Sequence, residues 1–261
     1  MSYINYIPGA GISPMDFIVI EELAKLVPEN GTIVEIGSHF GRSTRGWLDN
    51  SKSSVKVVAI DPWIAWRIDP NMNNITVIGD VDLLPMPVES AYVKRKEIFD
   101  YFIPDDRVIK IRDHSPPDPI LMEELNLNSI DLVFVDGDHS KEGVVRDINF
   151  WYSKLSSTGI ICGHDYNYKG VYDAVNEFVL NEFEKNNNLE VIGFPYSSCM
   201  WVIKSKNIYN DLFSENKNEE IFKRTWVESW IKPNVFTSDP DHELIWENNN
   251  MRPLKPGERR T

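Results

Sequence analysis

Two short stretches concentrate side chains able to do chemistry: Asp136-Gly137-Asp138-His139 and Gly163-His164-Asp165-Tyr166. Each follows an apolar run, Ile130 to Val135 and Ile160 to Cys162, of the kind that forms a strand buried on both faces. Carboxylates with water suit Mg²⁺, Mn²⁺ or Ca²⁺, and an added imidazole tilts the choice towards Mn²⁺ or Fe²⁺. The same groups can take or give a proton, because crowding like charges in a partly buried place moves their pKa values apart.

A third stretch, Thr32 to Thr44 (TIVEIGSHFGRST), reads as a strand that feeds a helix through a ligand-binding loop. A dinucleotide site needs G-x-G-x-x-G and a phosphate loop needs G-K-[ST]; the spacing from Gly37 to Gly41 is G-x-x-x-G, which excludes both. Glu35, beside a loop of N–H donors, suits an amino-acid ligand carrying both ammonium and carboxylate. Ser43 and Thr44 fall at the start of the next helix, whose free N–H groups favour an electron-rich group. Asp61-Pro62-Trp63 lies 26 residues beyond Glu35, close to where a doubly wound fold places an acid on a ribose. Trp63 and Trp66 offer flat faces for adenine or substrate, or for packing.

The elements that position these groups follow from local signals. Ser13-Pro14-Met15-Asp16 supplies an N-cap, a proline at the first helical position and an acid three residues after the cap, opening a helix that runs to Pro28. Further helices are expected at Arg42 to Leu48, Val88 to Ile103, Asp118 to Leu125, Lys141 to Leu155 (stopping near Gly159) and Val171 to Phe183. Strands are expected at Ile33 to Ile36, Ser54 to Ile60, Arg107 to Ile111, Ile130 to Val135 and Ile160 to Cys162. Leu189 to Gly193 and Met200 to Lys204 read as a late antiparallel pair. The alternation implies an α/β fold: a doubly wound, Rossmann-like, mostly parallel sheet with an antiparallel last strand and helices on both faces. Such a sheet binds ligands at the carboxyl ends of its strands, which gathers Asp136, Asp138, His139, His164 and Asp165 beside the Glu35 loop.

Residues 62–87 are too polar and too broken by proline and asparagine for a long helix, and read as a lid or substrate wall. From about Asn207 the chain changes character: a helix is expected around Asn218 to Trp230, followed by a loosely structured arm. Trp226, Trp230 and Trp246 are expected to pack on the domain or on a second subunit, which makes a homo-oligomer a candidate assembly.

The 261-residue chain is 42% hydrophobic and 26% charged, so it belongs with ordinary globular proteins and has room for one large α/β domain with an appendage. A net charge of −13 argues against a nucleic acid partner, whose phosphates need clustered Lys and Arg. No apolar run reaches membrane-spanning length and MSYINYIPGAG lacks the build of a signal peptide, so no membrane partner and a cytoplasmic location are expected. Cys162 and Cys199 sit in apolar surroundings without C-x-x-C spacing and read as free thiols.

VEIGSHFGRST resembles the first motif of class I S-adenosylmethionine-dependent methyltransferases. VVAIDPW and IDLVFVDGDHSKEGVVRDINFWYSKLSSTGIICGHDY, in the same order, resemble a branch that includes macrolide-sugar O-methyltransferases and relatives of catechol O-methyltransferase. The likeness covers about residues 30 to 205, with a methyltransferase domain at 1–206 and the arm at 207–261. It implies S-adenosyl-L-methionine as cofactor: Glu35 and Gly37, Ser38 and Gly41 hold its methionine part, helped by Ser43 or Thr44, and Asp61 holds the ribose. Trp63 and Asp136 line the cofactor, and His114 and Ser115 fall where the family contacts adenine, although Asp113 replaces a usual glycine. Metal-dependent members use an acid after the fourth strand and two polar ligands after the fifth. By that likeness Asp136, His164 and Asp165 would hold Mg²⁺ or Mn²⁺, with Asp138 or His139 as base; without a metal, a histidine such as His164 would act as base.

The resulting expectation is an O-methyltransferase acting on a small hydroxylated substrate, a sugar or glycoside. Two other readings stand beside it: a metal-dependent oxidase or hydroxylase of the same branch, and a cofactor-binding protein with a degenerate catalytic site.

Overall fold

The computed structural model describes residues 11–63, 88–184, 189–193, 198–205, 244–247 and 250–253. In chain order the elements are α1 (Pro14–Ala24), β1 (Thr32–Ile36), α2 (Arg42–Asn50), β2 (Lys56–Ile60), α3 (Val88–Phe102) and β3 (Val108–Ile111). Then come α4 (Pro119–Glu124), β4 (Ile130–Val135), α5 (Lys141–Tyr152), β5 (Leu155–Gly163), α6 (Lys169–Glu184), β6 (Leu189–Gly193) and β7 (Trp201–Ser205). A separate antiparallel hairpin, β8 (Leu244–Glu247) with β9 (Asn250–Pro253), lies in the stretch read from sequence as a loose arm. The expected helix at 218–230 and the loop at 64–87, with Trp66, fall outside the described residues.

Seven strands form one sheet in the order β3-β2-β1-β4-β5-β7-β6. The first five are parallel and β7 runs antiparallel to both β5 and β6, as the sequence pattern implies. Successive strand residues point to opposite faces, so each strand feeds two cores. Ile33, Val57, Ala59, Leu132 and Phe134 pack with α1, α2 and α3 on one face. Val34, Ile36, Val58, Val133 and Val135 pack with α4, α5 and α6 on the other. Covering both faces is what allows near-continuous apolar strands.

The strand order reverses between β1 and β4, and open α/β sheets bind ligands outside the carboxyl ends of their strands at such a point. Within the sheet, one strand departs from expectation. β5 begins at Leu155, not at Ile160, and Gly159 lies inside it instead of ending a helix. A side chain at Gly159 would put a Cβ 2.6 Å from the Ile130 carbonyl oxygen, so glycine here serves a close strand contact.

Candidate active site

The strand ends at the reversal stay zipped beyond the sheet. Gly37 N–H donates to Ile60 O at 2.9 Å, Asp136 N–H to Ile36 O at 2.9 Å, and His164 N–H to Val135 O at 3.1 Å. Gly37 adopts φ +87°, and a Cβ there would lie 2.0 Å from the Asp136 carbonyl oxygen. Only glycine combines that backbone angle with that approach. The β1 loop and the first acid after β4 are therefore in direct contact.

Glu35, on the α2 side of β1, is completely buried. Its Oε2 accepts a hydrogen bond from the Thr44 hydroxyl. Its Oε1, Ser38 Oγ and Trp47 Nε1 are buried without a well-formed hydrogen bond among the described residues, although Ser38 and Trp47 stand close enough to Glu35 to favour its charge. Burial pushes the Glu35 carboxyl above its usual range, although the nearby Ser43 and Thr44 hydroxyls oppose the rise. The helix that follows, α2, starts at Gly41, which has no side chain to cap the first-turn N–H groups. Weakly bonded polar atoms beneath a glycine loop and an uncapped helix start together fit the polar end of an amino-acid ligand.

Asp61 is half-buried, and burial raises its carboxyl. Its oxygens accept from His39 N–H at 2.8 Å and from Trp63 N–H, which fixes the carboxylate at the end of β2. Trp63 is 1% exposed: its ring packs on Phe99 at 5.1 Å and its Nε1 donates to His39 O at 2.8 Å. Of the two roles open to it, packing is the one this geometry describes. Beyond β3, His114 is exposed, whereas the Ser115 hydroxyl accepts from Trp151 Nε1 at 2.9 Å and so faces α5.

The second half of the site is an acid and imidazole corner. Asp136 and Asp165 come from the ends of β4 and β5, and His139 from the turn into α5. His139 Nε2 lies 2.9 Å from Asp165 Oδ2 and 4.0 Å from Asp136 Oδ1. One ligand atom from each of Asp136, His139 and Asp165 lies within 4.8 Å of the others, a spacing that fits a shared cation. Asp165 has φ +58°, a left-handed backbone conformation open to aspartate.

His164 is not in that set. It is 4% exposed, with Nε2 3.2 Å from Asp16 Oδ2 and Nδ1 3.2 Å from Asp165 Oδ1 and 3.7 Å from Asp136 Oδ1. The sequence reading groups His164 with Asp136 and Asp165; in the fold it touches both acids through Nδ1, but its Nε2 is drawn to Asp16, and the set that converges within 4.8 Å among the described residues has His139 as its imidazole. The physical reason is that His164 is the first residue past β5, where its N–H still extends the ladder and its ring turns in towards α1.

Asp138 lines the same shallow indentation as Asp136, His139, Val144 and Trp201, but its Oδ1 accepts from Ser140 N–H at 2.9 Å. That contact turns it to the start of α5. Of the two candidate bases, His139 is the one in contact with the acids.

The charges of the corner are coupled. Burial pushes Asp136 up to about 8, against the pull of His164 and helped by Asp165. Burial would also raise Asp165, yet His139 and His164 hold it well below the usual carboxylate range. Both histidines stand above their ordinary value: burial opposes their charge, and the acids around them together outweigh it, Asp165 and Asp136 at His139 and these two with Asp16 at His164.

Two contributors were not legible in sequence. Asp16 reads there only as a capping acid, and Trp201 as a strand residue. In the fold Asp16 contacts His164, and Trp201 Nε1 donates to His164 O at 3.0 Å.

A family model described as a methyltransferase domain matches residues 34–166, from β1 to the end of the acid corner. An uncharacterized protein of Acanthamoeba polyphaga mimivirus is 26% identical over 209 residues, covering 77% of this chain and 85% of that protein. A solved protein of Corynebacterium glutamicum shares the fold at 14% identity, with a TM-score of 0.51, over 77% of this chain and 84% of its own. An O-methyltransferase from Bacillus cereus, solved in complex with SAH, aligns at 13% identity with a TM-score of 0.49, over 77% of this chain and 86% of its own.

Proposed function

From the premise that this chain belongs to the methyltransferase-domain family, and so is an S-adenosyl-L-methionine-dependent methyltransferase, we propose that it methylates a hydroxyl of a small acceptor, a sugar or glycoside. The observation that carries this reading is the contact of the Gly37 loop with Asp136, which joins the loop to a corner where Asp136, His139 and Asp165 converge within 4.8 Å.

The cofactor supplies an electrophilic methyl group on a sulfonium. The chain's part is to orient it and to ready a nucleophile in line. Glu35, Ser38, Gly41, Ser43 and Thr44 receive its amino-acid end, and Asp61 its ribose. His114 stands at the adenine end. The Ser115 hydroxyl, turned to Trp151, fixes that loop instead of reading the base.

Asp136, His139 and Asp165 would hold Mg²⁺ or Mn²⁺, and such a cation lowers the cost of an alkoxide on the acceptor. A second reading rests on the 2.9 Å contact between His139 and Asp165: that pair is a general base able to take the hydroxyl proton unaided. The net charge of −13 supports a neutral or cationic acceptor over a polyanion. Residues 1–206 form the transferase domain in this account, and 207–261 an arm that packs on it or on a second copy.

The test is transfer of labelled methyl from S-adenosyl-L-methionine to a panel of glycosides, with and without EDTA. The expected result is turnover that falls at least tenfold with EDTA and returns with Mn²⁺. Turnover unchanged by EDTA but abolished in His139→Ala would move the assignment to the metal-free base. No transfer to any hydroxylated acceptor would refute the O-methylation reading.

A further inference from the structure

Asp16 lies in the first turn of α1 and is 1% exposed. Its Oδ2 accepts from Ser13 N–H at 2.7 Å and from the Ser13 hydroxyl at 2.6 Å, which closes the capping box. Capping does not account for its other contacts. Oδ1 accepts from the Ser198 hydroxyl at 2.6 Å and from Cys199 N–H at 3.0 Å, across 182 and 183 residues of sequence. Oδ2 also meets His164 Nε2 at 3.2 Å, across 148 residues.

From there acids and imidazoles alternate up to the cleft. His164 Nδ1 is 3.2 Å from Asp165 Oδ1, and Asp165 Oδ2 is 2.9 Å from His139 Nε2. A carboxylate with donors on both oxygens cannot rotate without breaking several hydrogen bonds, so α1 and the segment before β7 set its direction. His164 in turn has both ring nitrogens engaged and its carbonyl held by Trp201. Asp165 carries a left-handed backbone at φ +58°, a conformation open to aspartate, which sets the direction of its side chain into the corner.

We infer that Asp16 is a positioning residue for methyl transfer: it fixes the His164 ring, which holds Asp165, which in turn holds His139 where the acceptor hydroxyl is readied. This rests on the assignment of the corner to the acceptor. It also means that the helix opening the described chain and the segment leading into β7 are tied to the reacting end of the site through one carboxylate.

The test uses the full chain labelled with ¹⁵N in its histidine rings, in three forms: wild type, Asp16→Asn, and Val19→Ala. Val19 is a buried core residue of the same helix, 1% exposed, so its truncation loosens α1 by packing alone. Asp16→Asn is expected to shift the ring-nitrogen signals of His139 as well as His164. It should also lower kcat at least tenfold, with KM for S-adenosyl-L-methionine within twofold. Val19→Ala should lower the melting temperature and leave both rings' signals in place. Unmoved His139 signals in Asp16→Asn, or equal movement in Val19→Ala, would overturn the inference. If the wild-type protein methylates no hydroxylated acceptor, the functional reading fails while the ring signals still decide the positioning role.

Discussion

Replacing Gly37 by alanine should separate the two halves of the site with little loss of fold. The new Cβ would stand 2.0 Å from the Asp136 carbonyl oxygen. Carbon and oxygen that do not bond keep about 3.3 Å apart, so one loop must move by about 1.3 Å, the difference of the two distances. The backbone at φ +87° adds about 1–2 kcal/mol of strain for a residue with a side chain. The moving groups are main chain at the ends of β1 and β4, which cannot give way as a side-chain tip does. A shift of about 1 Å in reacting geometry costs about 100-fold in rate. Gly37→Ala should therefore bind S-adenosyl-L-methionine at least 30-fold more weakly by isothermal titration, and turn over at least 100-fold more slowly. Its melting temperature should drop by only about 4–8 °C, as about 2 kcal/mol of backbone strain implies for a chain of this size. Gly41→Ala is the comparison: its Cβ would stand 2.4 Å from Cγ1 of buried Ile103 and 3.1 Å from the Phe99 ring, so its cost falls on core packing and on backbone strain at φ +89°, and not on the contact with Asp136. Wild-type affinity in Gly37→Ala, within threefold, would refute the contact argument.

Two other substitutions probe the charges beneath the site. Asp147, with a side chain 1% exposed, is raised by burial to about 6 from an ordinary 3.8, against the pull of Ser115 and Arg146. An acid raised on folding costs no stability below its unfolded pKa, loses it progressively between about pH 4 and 6, and carries the full cost above that window. At about 1.36 kcal/mol per unit the cost is at most about 3 kcal/mol, less what the Arg146 contact returns. Asp147→Asn should flatten the stability profile between pH 4 and 6 and raise stability at pH 7.5, read by urea unfolding at several pH values; an unchanged slope would contradict the cause. Glu35→Gln should weaken S-adenosyl-L-methionine by about 10- to 100-fold, as loss of a charge-assisted hydrogen bond implies, without lowering the melting temperature, because it removes a buried charge. A lower melting temperature with unchanged affinity would make Glu35 a packing residue.

Much of this fold follows from local pattern because parallel strands covered on both faces must be largely apolar, and β1, β2 and β4 are, but for Thr32, Glu35, Lys56 and Asp131. The reversal between β1 and β4 follows from the order of the motifs, and it brings Glu35, Asp61, Asp136 and Asp165 to one edge. What pattern could not supply is which side of that edge a side chain takes. His139 and His164 both reach the two acids, but the turn into α5 leaves His139 with Asp136 and Asp165 alone, while the last step of β5 buries His164 between those acids and Asp16 of α1. Asp16 was hidden for a different reason: its capping role explained it locally, and the contact to His164 spans 148 residues. Ser115 and Trp63 show a related effect, since each side chain has a partner in the packed interior that the sequence does not announce. Gly159 reads as a helix stop because a glycine admitted for a close strand contact looks the same in sequence.

The central claim is that the Gly37 loop and the acid corner form one site. A crystal of the protein with S-adenosylhomocysteine and Mn²⁺, measured for anomalous scattering at the manganese edge, tests it most directly. The homocysteine end is expected on the Gly37 to Gly41 loop, the ribose on Asp61, and a manganese peak between Asp136, His139 and Asp165. A cofactor seated away from that loop, or a manganese peak bound elsewhere with the corner empty, would contradict it.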